Sequence, residues 1–140
     1  MNYVTQSNGE AAQLRKEVTQ VVTNDISLTG NDSGKILLVG TDAKTITLPT
    51  TQSGLVYTFV NIGAAGNNII KVSPAATDGI SGTVTLASTV VVLDGVVNKA
   101  ALNTKASAQT GDSLTIVGTG LPGTKAWIVL SATGIWARQA

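Results

Sequence analysis

Two hydrophobic periods divide the chain. Near the N-terminus Ala11, Leu14, Val18 and Val21 recur at three, four and three residues, which places them on one face of a helix. Ser7 followed by Glu10 has the spacing of a capping box, in which each side chain accepts a bond from the other's backbone N–H. The spacing predicts a short amphipathic helix over about 8–22, marginal by itself in water and so in need of a dock. The β-branched run Val18, Thr19, Val21, Val22 and Thr23 can turn the end of this segment into a strand. Ahead of it, Met1 to Gln6 has no cap and reads as an arm.

From Asn24 onward the period shortens to two. Lys44 to Leu48 alternates polar and apolar, and in Leu55 to Asn61 the side chains of Leu55, Tyr57 and Phe59 share one face. Similar runs occupy Ile26 to Leu28, Lys35 to Val39, Asn68 to Ser73, Thr83 to Leu86 and Thr89 to Leu93. Ser113 to Val117, Lys125 to Ser131 and Ile135 to Arg138 complete the set. Turn residues separate them: Thr29 to Gly34, Gly40 to Asp42, Pro49 to Gly54, Gly63 to Asn68. About ten short strands at this spacing, with no helical pattern between them, predict a single all-β domain. The form expected is an antiparallel sandwich or a jelly-roll or barrel-like domain over 25–140, with 1–24 as arm and short helix. Val96 to Ala108 stays open between a helical turn, a strand and a long loop.

Composition narrows what such a domain can do. Only 12% of the 140 residues are charged, about half the usual share, whereas Thr and Ser number 20 and 10. There is no His and no Cys, which removes disulfides, thiolate sites, His-ligated metals and every His-based triad. A net charge of +1, with Arg15-Lys16 the only basic pair, gives no electrostatic case for nucleic acid. No basic stretch leads into an apolar run, and no apolar run approaches membrane-spanning length, so neither a secretory leader nor a membrane span is expected. A non-enzymatic structural or binding protein, without cofactor or metal, is the expectation.

The motifs agree. Gly118-Thr-Gly120-Leu-Pro-Gly123 spells a dinucleotide fingerprint, yet the segment after it reads as a strand, so it is a loop between two strands. Asp32, Asp78, Asp94 and Asp112 each lie within two residues of a Gly, which is turn chemistry. Trp127 and Trp136 flank Gly134 on neighbouring strands across a hairpin turn; with Tyr57 they could form a stacking platform for sugars. The area a Trp must bury favours a core role instead. Charge is absent from Thr45 to Ile70 and from Gly79 to Leu93, so strand edges there lack the usual guards against pairing with other chains. Either the sheet closes on itself, or neighbouring subunits cover it.

Several segments carry a family resemblance: Asp32-Ser-Gly-Lys35, Thr45-Ile-Thr-Leu-Pro49, Gly54-Leu-Val-Tyr-Thr-Phe-Val-Asn61, Asn68-Ile-Ile-Lys-Val-Ser-Pro74 and Asp78-Gly-Ile-Ser-Gly82. Together with the ending Gly111-Asp112 … Gly118 … Trp127 … Gly134-Ile-Trp136, they resemble a β module of tailed-bacteriophage virion proteins, over about 25–138. The resemblance implies a head decoration (cement) protein, made in the host cytoplasm, which binds the outside of the capsid lattice as a homotrimer. It also admits a tail-fibre or tail-associated carbohydrate- or receptor-binding module. In the first case the expected contacts to the capsid are Tyr3, Val4, Leu14 and Val18, unless the arm packs on its own domain. In the second the platform would be Tyr57, Trp127 and Trp136. No nucleic-acid or membrane partner is implied.

Overall fold

The computed structural model describes residues 18–85 and 90–140. These residues form an all-β sandwich of twelve strands in two sheets. The strands are β1 (Thr19–Val22), β2 (Ile26–Ser27), β3 (Ile36–Val39), β4 (Lys44–Thr47), β5 (Val56–Asn61) and β6 (Ile70–Ser73). The second half holds β7 (Asp78–Thr85), β8 (Val90–Asp94), β9 (Ala101–Asn103), β10 (Ser113–Gly118), β11 (Gly123–Thr133) and β12 (Ala137–Arg138). A 3-10 turn, Gly30–Asp32, sits between β2 and β3.

The first six strands alternate between the sheets. A seven-stranded sheet runs β1-β3-β5-β10-β11-β7-β8, and a five-stranded sheet runs β12-β9-β6-β4-β2. The pairs β1·β3, β3·β5, β2·β4 and β4·β6 are all parallel. Parallel neighbours need a crossover between them, and here each crossover is a strand of the opposite sheet rather than a helix. The chain thus winds three coils around the core before β9 and β10 add antiparallel to β6 and β5. β11 then pairs antiparallel with β10 and parallel with β7. The sheets are therefore mixed, not antiparallel: alternation reports which face is buried, but not the direction of the neighbour.

One alternative is decided and two other expectations change. Residues 19–22 are strand, as the β-branched run there allowed, rather than the end of a helix, because Thr19, Val21 and Val22 are β-branched and β3 offers their backbone a ladder; the rest of the expected helix, 8–17, lies outside the described residues. The β domain accordingly begins by Thr19, ahead of the boundary expected at residue 25. Trp127 and Trp136 do not flank a hairpin: β11 and β12 belong to different sheets, and the chain crosses between them at Gly134. The segment Val96 to Ala108 contains β9, flanked by turns.

Alternate side chains of each strand fill the space between the sheets. Leu37, Val39, Tyr57, Phe59, Leu114, Ile116 and Trp127 point in from one side, and Ile46, Ile70, Val72 and Ala101 from the other. A buried polar network joins the sheets at one end. Asn61 on β5 donates its side-chain amide to Asn103 Oδ1 on β9 at 2.8 Å. Asn103 in turn donates to Asp112 Oδ2 (2.9 Å) and to the Ile135 carbonyl (3.1 Å). Asn68 donates to Asn61 Oδ1 and the Val39 carbonyl. Asp78 is not a solvated turn residue: it is fully buried at the start of β7, where its carboxylate accepts the Thr51 N–H at 2.8 Å. At the far edge of the sandwich, Arg138 of β12 pairs with Asp94 of β8 at 2.8 Å and ties the two sheets together.

Candidate functional site

The two sheets present opposite outer faces. Residues directly opposite one another in a ladder share a face, so the registers give the surface row by row. On the seven-stranded sheet, Thr19, Ile36, Thr58, Thr115 and Ser131 form one row across β1, β3, β5, β10 and β11. The next row is Val21, Leu38, Val60, Ser113 and Thr133. A third runs Val56, Val117, Ile128, Ser81 and Asp94. Across these rows the only charge is Asp94 at the corner, and Arg138 neutralises it. Val21 is 60% exposed, and Val92, on the edge strand β8, 59%. The other aliphatic residues of these rows are half-buried.

On the five-stranded sheet the outer rows are Ser27, Thr47 and Ser73, and Thr45, Lys71, Leu102 and Ala137. This is the solvated face expected of a half-buried sheet. The contrast comes from local sequence. β4 carries Thr at alternate positions, whereas β3 is Ile-Leu-Leu-Val, apolar at both phases. Strands apolar at both phases belong to sheets covered on both sides. In β3, Leu37 and Val39 are fully buried, and Ile36 and Leu38 face outward. The sequence carried this signal in the run Ile36 to Val39 and in Val56 and Val60, but without the registers nothing aligns those residues into one surface.

Its hydroxyl groups are largely satisfied within the face. Thr58 and Thr115 hydroxyls bond at 3.0 Å, and Ser113 and Thr133 at 2.9 Å. Ser81 donates to the Thr124 carbonyl. Little polar surface would lose partners if this face left water.

The residues expected to form a stacking platform do not. Tyr57, Trp127 and Trp136 are each fully buried. Tyr57 and Trp127 pack with ring centroids 5.7 Å apart, and the Tyr57 hydroxyl donates to the Thr29 carbonyl at 2.7 Å. Burial, followed by the nearby charge of Asp32, pushes the Tyr57 phenol above its ordinary range. Trp136 donates its indole N–H to the Thr133 carbonyl. Their large rings fill the space between the sheets and offer no plane to a sugar. Of the residues expected to contact a capsid, Tyr3, Val4 and Leu14 lie outside the described residues; Val18, just ahead of β1, is 43% exposed.

The Gly118 to Gly123 segment is the connection between β10 and β11, as its sequence context implied. It is stitched to the loop before β5 by the bonds Gly54 N–H to Gly118 O and Gly120 N–H to Thr51 Oγ1. Asp32 caps the 3-10 turn by accepting the Thr29 N–H and pairs with Lys35 at 2.8 Å. Partial burial opposes its ionisation, but the bonds from Lys35 and Thr29 prevail and hold its carboxyl below the usual range. Among the described residues, no three acidic side chains gather as metal ligands, and no helix is long and apolar enough to cross a membrane. No protein-family model matches the chain, and no curated protein matches its sequence.

Proposed function

We propose that this chain is a structural protein of a tailed-phage virion, a decoration protein that binds the outside of the capsid as an oligomer and braces the mature shell. The observation that carries the reading is the outer face of the seven-stranded sheet, where the one charge in the rows, Asp94, is paired with Arg138 and where β3 is apolar on both sides. A surface of this kind supports life inside an assembly rather than alone in water. The sequence resemblance to virion β modules supports the setting, and buried aromatic rings disfavour the sugar-binding alternative.

The mechanism is mechanical. Copies joined to one another would present several N-terminal segments to the lattice at once, with Tyr3, Val4, Leu14 and Val18 as the contacts. Each contact can be weak, because linked sites multiply affinity. Binding to the mature lattice but not to its disrupted form stabilises the shell by mass action. The test is co-sedimentation of the full chain, and of a chain lacking residues 1–17, with empty expanded capsids of the phage that encodes it. The full chain is expected to pellet with the capsids and the shortened chain to stay in the supernatant. A full chain that stays in the supernatant overturns the proposal; equal pelleting of both overturns the role of the N-terminal contacts.

A further inference from the structure

We propose that the outer face of the seven-stranded sheet is the surface through which copies of this chain bind one another. The inference deepens the oligomeric reading above by naming the face and its occupant. Three properties point to a second copy. First, Ile36, Leu38, Val60 and Val117 lie on strands whose opposite side is already core, so among the described residues one layer of cover is missing. Second, the hydroxyls between them are bonded to each other, so removing water strands few polar groups. Third, the face holds no free charge for an acidic or basic partner to complement, whereas a copy of this chain meets it without burying an unpaired ion.

The area is sufficient. Seven strands spaced about 4.8 Å apart and about five residues long, at about 3.3 Å per residue, give a face of about 500 Å². Two copies sharing such a surface would bury about 1,000 Å², the lower bound for a specific interface. Two sheets packed face to face at about 10 Å would interdigitate the Val and Ile side chains as in the interior of a sandwich.

The test is native mass spectrometry and sedimentation equilibrium on the full chain, with Val60→Lys at the centre of the face and Thr45→Lys on the outer face of the other sheet. The full chain is expected to form a defined oligomer. Val60→Lys should raise its dissociation constant at least about a hundredfold, because an ammonium group would be desolvated without a partner. Thr45→Lys should leave it unchanged. Circular dichroism checks folding, and if Val60→Lys does not fold, Val117→Lys on the interior strand β10 of the same face replaces it. A monomeric full chain overturns the inference, as does an oligomer that the folded central variant leaves intact. So does association that appears only once residues 1–17 are removed, since those residues would then be the cover. A monomer that still pellets with capsids overturns the face but not shell binding; an oligomer that ignores capsids does the reverse.

Discussion

Asn103 is the residue whose loss should cost the sandwich most for its size. It lies fully buried on β9 and makes three hydrogen bonds, two donated to Asp112 Oδ2 and the Ile135 carbonyl, one accepted from Asn61. Asn103→Ala removes all three. Asp112 keeps the Gln109 N–H, but the Asn61 side-chain amide loses its bond across the sheets, and the Ile135 carbonyl loses that partner. A buried polar group left without a partner costs about 1–3 kcal/mol, so the expected loss is about 3–5 kcal/mol. Against a total of about 5–15 kcal/mol for a domain of ordinary stability, that is a fifth or more. The melting temperature should fall by about 10–20 °C. Urea unfolding followed by tryptophan fluorescence reads this directly, because Trp127 and Trp136 are both fully buried. The double variant Asn61→Ala/Asn103→Ala should lose less than the two single losses combined, with a coupling above about 0.5 kcal/mol. A loss below about 1 kcal/mol for Asn103→Ala, or strict additivity, would refute the view that this network bolts the sheets together.

Two further predictions follow from the same geometry. Gly134 has a φ of +83°, and a Cβ there would collide with the Asp112 carboxylate, so Gly134→Ala should destabilise by about 2–4 kcal/mol in a thermal melt; a change under about 1 kcal/mol would show that Asp112 can move freely. The depressed carboxyl of Asp32 stabilises the fold while ionised, so its contribution is present at neutral pH and is lost as pH falls below the usual carboxylate value of about 3.9. Urea midpoints for Asp32→Asn and the unaltered chain should differ at pH 7 and converge in acid; a gap that stays constant or widens there contradicts the assignment.

How far the fold could be read from the sequence depended on what each signal encodes. Strand positions were legible: Lys44 to Leu48, Leu55 to Asn61 and Ser113 to Val117 match β4, β5 and β10 to within a residue, because alternation and flanking Gly or Pro are local properties. Pairing direction was not, since Ile46 is buried whether its neighbours run parallel or antiparallel. Asn61, Asn68 and Asn103 resemble ordinary turn residues, and only the meeting of β5, the loop before β6 and β9 reveals them as core. Asp78 misled for the same reason: a neighbouring Gly suggests a solvated turn, but the Thr51 N–H that engages it is 27 residues away. The outward apolar rows were half legible. The scarcity of charge pointed to a covered surface, but the charge-free windows contain inward and outward residues alike.

The coiled path of the chain ties this surface to the ends of the sheets. Each of the first three coils adds one strand to both sheets, so β1 and β2, the outermost strands at one end of the two among the described residues, fall together in the first coil. At the opposite end β8 and β12 meet, and the Arg138–Asp94 pair closes the gap between the sheets. The two ends therefore differ in defence: one carries an ion pair, and the other offers Val21, Gln20 and Thr19 on a strand that, among the described residues, has a neighbour on one side only. Edge pairing at β1 would extend both the sheet and its apolar rows, because Val21 begins the row that continues through Leu38 and Val60. Face packing and edge pairing thus draw on the same residues, but a lysine distinguishes them. At position 60, in the middle of the sheet, it would block packing of the face and leave the β1 edge intact, so the response to Val60→Lys separates the two modes.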